Sequence, residues 1–193
     1  MRARYGLALV VVFLGGAFVL AEETVDPPRV LFIAEDDQGK VWANLSLLLR
    51  DSSGAYLPMV IGVQNKSDSE IRLNRESFWL EDLDGIVYAM PSVRNWRKHS
   101  KRIVLDRRLM NTGGIPWEVW WSGRRFARSN FFPDLRPTRG NTTLDNINLR
   151  TGFGMVDLLY FERLRQIEPQ RPFFLAVHPK GWERPIRLRL YLS

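Results

Sequence analysis

Ile186-Arg187-Leu188-Arg189-Leu190-Tyr191-Leu192 places an apolar residue at every second position, with a cation or a phenol between. Successive side chains of an extended chain point to opposite sides. A period of two therefore marks a strand with one face buried and one in water. A helix would scatter the same leucines around its circumference. This segment favours antiparallel sheet, whose strands commonly keep one face in the core.

A second run of this kind lies near the other end. Val41, Ala43, Leu45, Leu47 and Leu49 fall on one side, and Trp42, Asn44, Ser46 and Arg50 on the other. Leu48 is the exception, and a strand over 41–49 is expected. Shorter runs at 30–33, 56–64, 71–73, 78–80, 86–90, 144–149, 155–161 and 173–177 read as further strands, the run at 155–161 being apolar throughout except for Asp157. Between them stand turn formers: Glu35-Asp36-Asp37-Gln38-Gly39, Asp51-Ser52-Ser53-Gly54, Asn65-Lys66-Ser67-Asp68-Ser69, Asp84-Gly85 and Thr151-Gly152-Phe153-Gly154. Pro58 has no N–H to donate, so it belongs at a strand start or edge. Short strands with turns every ~8–12 residues indicate a sandwich or barrel. Strands do not alternate with long helices, which argues against a parallel α/β sheet.

The ends bound the compartment. Arg2 and Arg4 precede an uncharged run over 6–20, and Val19-Leu20-Ala21 then precedes Glu22-Glu23. This is the three-part pattern of a secretory signal, cut after Ala21, with Ala17 as a second choice. The alternative is an uncleaved anchor, but the run is shorter than the ~20 apolar residues that span a bilayer and carries Gly15-Gly16 in its middle. The expected destination is the periplasm or the extracellular space. Residues 22–28 read as a short tether, and 29–193 as one domain. Cleavage would leave about 170 residues, enough for a core without covalent staples. The chain has no cysteine, which removes disulfides, thiol catalysis and thiolate metal sites. Losing Arg2 and Arg4 would bring the formal charge from +7 to +5. Such an excess suits anionic surfaces, or solubility alone.

Val60-Ile61-Gly62-Val63-Gln64-Asn65-Lys66-Ser67, a strand closed by Asn, is followed by Phe78-Trp79-Leu80-Glu81-Asp82-Leu83-Asp84-Gly85-Ile86-Val87-Tyr88. Much later Gly152 precedes Gly154-Met155-Val156-Asp157-Leu158-Leu159-Tyr160-Phe161. This order resembles the bacterial exported immunoglobulin-like domains called telokin-like, or FxLyD-type, over about a third of the mature chain. The resemblance implies an immunoglobulin-like antiparallel β-sandwich and carries over no catalytic residue. The chain departs from the family in two respects. Glu22 stands where a lipoprotein would have its cysteine, and a helix-bearing basic and aromatic insertion runs over about 92–139.

That insertion is the strongest compositional anomaly. Ser92 is placed to cap a helix over 93–109, with Val93, Trp96 and Ile103 on one face and Arg94, Arg97, Lys98, Lys101 and Arg102 in solvent. Residues 115–133 are dense in Trp, Phe and Arg without a clean period, with short strands expected near Val119-Trp120-Trp121 and Phe126. Arg forks grip phosphate or carboxylate at two points, and aromatic faces stack on sugars or settle at lipid interfaces. The ordinary alternative is that the rings fill a small satellite core while Arg stems cover them. The candidate binding residues are Arg97, Arg102, Trp120, Arg124, Arg125 and Arg128. A protein, glycan or anionic-lipid partner is expected, with nucleic acid the least suited to an exported chain.

Catalytic signals are sparse. His99 and His178 are the only histidines, and no G-x-S-x-G elbow occurs. Glu35-Asp36-Asp37 and Glu81, Asp82 and Asp84 crowd two turns. They could offer oxygen ligands to calcium or, in the rival reading, carboxylates to a carbohydrate-active or other hydrolase. Their ordinary role is a solvated turn. No catalytic residue, metal ligand or cofactor is assigned, and the expectation is a non-enzymatic binding module. Asn44, Asn65 and Asn141 head sequons that matter only if the source glycosylates.

Overall fold

In the computed structural model, residues 30–50, 54–98, 103–110, 126–133, 146–165, 168 and 171–192 are described. The expected signal and tether, residues 1–28, lie outside them. No helix among the described residues is long and apolar enough to cross a membrane.

The fold is an all-β sandwich. One sheet has the order β1-β2-β3-β9-β7 and the other β11-β10-β5-β6, while β4 and β8 form a separate ribbon. The first sheet comprises β1 (Leu31–Glu35), β2 (Gly39–Asn44), β3 (Tyr56–Asn65), β9 (Gly154–Glu162) and β7 (Phe126–Ala127). The second comprises β5 (Phe78–Glu81), β6 (Val87–Ala89), β10 (Phe173–Val177) and β11 (Ile186–Leu190), and the ribbon comprises β4 (Ile71–Asn74) and β8 (Asn146–Leu149).

The period of two in β11 does what its chemistry requires. Ile186, Leu188 and Leu190 are buried, and Arg187 and Arg189 are exposed. Register then carries the pattern across the sheet, where Leu188 opposes Leu175, Leu175 opposes Leu80, and Leu80 opposes Tyr88. Paired residues share a face, so these four side chains form one inward row. At about 25 cal/mol per Å² of apolar surface removed from water, such rows are the main source of stability.

β3 and β9 are buried on both faces and pair along nine positions, from Tyr56–Glu162 to Gln64–Gly154. The continuous apolar run at 155–161 reflects this double burial. Pro58 is opposed by Tyr160 on one side, while β2 ends at the Asn44–Val60 pair. Its missing donor therefore faces the side where pairing has stopped, as expected of an edge position.

One expectation needs correction. The strand at 41–49 ends at Asn44, whose Oδ1 accepts a hydrogen bond from the Ser46 N–H (2.9 Å), and α1 (Ser46–Arg50) follows. In that turn of helix the consecutive Leu47 and Leu48 are both buried and Leu49 is exposed, which breaks the strict alternation of a half-buried strand. The break in alternation at Leu48 was the local sign. The sheets are antiparallel, as expected, apart from the two residues of β7, which pair in parallel with β9.

Asn65 closes β3 and is fully buried. Its Nδ2 donates to the carbonyls of Ser69 (2.7 Å) and Leu149 (3.0 Å), and its Oδ1 accepts from Ser67 N (3.1 Å) and Oγ (2.7 Å). One carboxamide thus joins a strand end, the following turn and the β4–β8 ribbon. Gly152, at φ 80°, completes the junction by donating its N–H to the Asn65 carbonyl. That left-handed backbone suits glycine.

Candidate functional site

The basic-aromatic insertion begins at a buried Pro91. Ser92 caps α2 (Val93–Lys98) through its Oγ, which accepts from Asn95 N (3.2 Å). The described parts of the expected helix over 93–109 are α2 and α3 (Ile103–Leu109), and the residues between them, 99–102, lie outside the described set.

Trp96 is buried with its ring 5.2 Å from Phe132 and 5.8 Å from Tyr160, centroid to centroid. Phe131 is buried 6.3 Å from Phe78 of the second sheet. These rings are not a separate satellite, because they belong to the main core. Arg75 covers them. Its guanidinium lies 4.7 Å from the Phe132 ring centre and 5.8 Å from that of Phe131, and donates to the carbonyls of Pro91 (3.1 Å) and Phe131. This bridges the start and the return of the insertion.

Two buried carboxylates fix the rest. Asp157 of β9 accepts from Ser129 Oγ (2.8 Å) and Asn130 N (3.0 Å) at one oxygen, and from Leu158 N (2.8 Å) at the other. Asn130 holds a left-handed backbone (φ 56°), which Asn tolerates better than most residues. Asp106 of α3 accepts from Tyr160 Oη (3.2 Å). Burial first, and then the neighbouring Asp106 carboxylate, push the Tyr160 phenol far above its ordinary range, so it stays a donor. Arg107 adds a bond to the Phe132 carbonyl.

With Trp96, Phe131 and Phe132 turned inward, several cations of the described residues remain outside. Arg94, Arg97 and Lys98 of α2, Arg108 of α3 and Arg128 beyond β7 are exposed. Of the six candidate binding residues, Arg97 and Arg128 are therefore placed at the surface. Arg102, Trp120, Arg124 and Arg125 lie outside the described residues, as do His99 and Val119-Trp120-Trp121. The expected strand near Phe126 is β7. Arg75, Asp106, Asp157 and Tyr160 position this region, and the sequence reading did not single them out for it. Asp157 alone left a visible sign, as the charge interrupting an apolar run.

The turn carboxylates have other occupations. Glu35 pairs with Lys40 (3.3 Å) and Lys66, and Lys66, ahead of burial acting in the opposite sense, holds its carboxyl below the ordinary range. Asp36 Oδ1 accepts from the N–H groups of Gln38 (2.9 Å) and Gly39 (3.0 Å), while Asp37 meets Arg184 at 2.7 Å. Glu81 pairs with Arg187, and Asp84 with Arg171 (3.0 Å). Asp82 accepts from Asp84 N (3.0 Å), Ile86 N (2.9 Å) and Tyr88 Oη (2.7 Å). No cluster of three or more His, Asp or Glu suited to a metal occurs among the described residues.

No family model, curated protein or solved structure matches the chain.

Proposed function

We propose that this chain is an exported, non-enzymatic binding module of the cell envelope, an immunoglobulin-like sandwich of the telokin-like type that presents a basic surface to an anionic partner. The observation that carries the reading is the two-sidedness of α2. Trp96 is locked into the core while Arg94, Arg97 and Lys98 face solvent on the same short helix. Cations on an anchored element lose less conformational freedom on binding than cations on a loose loop. Engagement of the turn carboxylates in hydrogen bonds and ion pairs supports a binding role over hydrolysis. Export rests on the signal-like pattern at 1–21.

The test is binding of the purified chain to vesicles containing anionic lipid and to envelope glycan, across a salt series. Capture that weakens with salt, and falls at least tenfold in Arg94→Glu/Lys98→Glu, supports the surface. Charge reversal at Arg124 and Arg125 should act in the same direction. Capture by none of these ligands, or capture indifferent to all four changes, would sink the proposal.

A further inference from the structure

The β4–β8 ribbon has two unlike faces. Ile71, Leu73 and Leu149 are buried and Ile147 packs against the core. Arg72 opposes Asn148, and Asn74 opposes Asn146, so these four side chains share the other face. On its far side β4 meets the loop after β10. Arg72 and Lys180 exchange both backbone hydrogen bonds, N–H of Arg72 to O of Lys180 at 2.9 Å and the reverse at 3.0 Å. Residues opposed in this way point to one face. Like charges directly opposite destabilise a sheet, yet neither side chain forms an ion pair among the described residues, in a chain where Lys40, Lys66, Arg171, Arg184 and Arg187 all do.

These cations border a cleft of about 630 Å³ between β4, the 3₁₀ turn Arg75–Ser77 and the loop 178–182. Its walls are fixed. Asn74 Oδ1 accepts from Ser77 N and Oγ (2.9 Å each), which leaves its NH₂ group for other partners. His178 N donates to the Ser77 carbonyl (2.9 Å). His178 Nε2 lies 3.2 Å from the Trp182 carbonyl, which can only accept, so Nε2 carries the proton and Nδ1 is left over. Gln38 pins the loop from below, its Oε1 accepting from Glu183 N at 2.5 Å. Among the described residues Glu76 is the one carboxylate lining the cleft, so the balance of Arg72 and Lys180 against it is positive.

We infer that this cleft is a binding site for an oxyanion, a phosphate or carboxylate group held by the Arg72 guanidinium, the Lys180 ammonium and the Asn74 amide. An anion between the two cations converts a repulsive pair into a bridged one, and a guanidinium meets two oxygens at once. The site is separate from the α2 surface and stands without it.

Amide shifts of the full chain are followed by NMR during titration with inorganic phosphate and, separately, with a hexuronate. Localised shifts at Arg72, Asn74, His178 and Lys180 are expected, with affinity at least tenfold weaker in Arg72→Gln and in Lys180→Gln. Arg189→Gln on β11 and Arg94→Glu/Lys98→Glu should leave these shifts unchanged. Response to phosphate alone identifies a phosphoryl group, to uronate alone a carboxylate, and to both the shared oxyanion chemistry. If a variant fails to fold, the wild-type shift map still decides. Shifts spread over the whole basic surface, equal weakening by Arg189→Gln, or no shift with either anion would overturn the inference.

Discussion

Trp42 lies across Gly62, the residue directly opposed to it on β3. The indole is almost wholly buried, and a Cβ built on Gly62 would overlap its five- and six-membered rings. The glycine is there for space. Gly39 under Trp182 and Gly154 under Phe126 repeat the arrangement, so three aromatic rings occupy the space over glycines of the first sheet, where a larger residue would displace them.

Gly62→Ala should therefore destabilise the fold by overpacking, by about 1–3 kcal/mol. Replacing Trp42 with Leu should restore part of the loss in the double variant, because the two residues compete for one volume. Urea unfolding of the four proteins of the cycle measures this. Additive losses would show that the overlap is relieved elsewhere.

Much of this architecture was legible along the chain. Alternation located β11, and the uninterrupted apolar run located β9, because burial of one face or both writes itself directly into spacing. Asp84-Gly85 marked its turn, and Gly85 adopts φ 76°. The end of β2 was obscured because Leu45 and Leu47 continue the alternation by coincidence across a helix start. The β4–β8 pairing and the Arg72–Lys180 bridge join segments far apart in sequence, and no local pattern announces them. In the insertion the composition was plain, but which ring faces inward depends on partners such as Arg75 and Tyr160 that lie outside it. Only Arg97 and Arg128 of the candidate residues have a described place.

Asn65 offers a second test. Asn65→Asp keeps the shape but removes both N–H donors and places a carboxylate against the carbonyls of Ser69 and Leu149. Buried acceptors without partners cost roughly 1–3 kcal/mol each, and a buried charge more. A loss of about 3 kcal/mol or more is expected in denaturant unfolding, with faster amide exchange in residues 65–69 and 146–149. Stability within about 0.5 kcal/mol of wild type would mean that this junction contributes little.

The acid limb of stability should depend on Asp82. Desolvation pushes its carboxyl up, but hydrogen bonds from Tyr88, Ile86 N and Asp84 N, with Arg171 nearby, outweigh it and hold it below the ordinary 3.8. The unfolded chain then takes up the proton first. The contribution is whole above about pH 3.8 and is lost as pH falls through the lower folded value. Tyr88→Phe removes one donor, so an NMR titration of the Asp82 carboxyl should show its pKa rise towards the ordinary value. An unmoved titration would assign the depression to the backbone donors alone.

Arg75 spans the insertion. Its guanidinium faces two rings and bonds two carbonyls that belong to opposite ends of the insertion. Arg75→Lys keeps the charge but cannot form the planar fork or lie flat on a ring. Arg75→Met keeps much of the stem's apolar contact and loses every donor. Both variants should lose about 2–3 kcal/mol, from hydrogen bonds to a charged group and a desolvated cation–π contact. If Arg75 is the tie between Pro91 and Phe131, hydrogen exchange should rise at 91–98 and 129–133 while β10 and β11 stay protected. Uniform loss of protection would instead make it a general core residue.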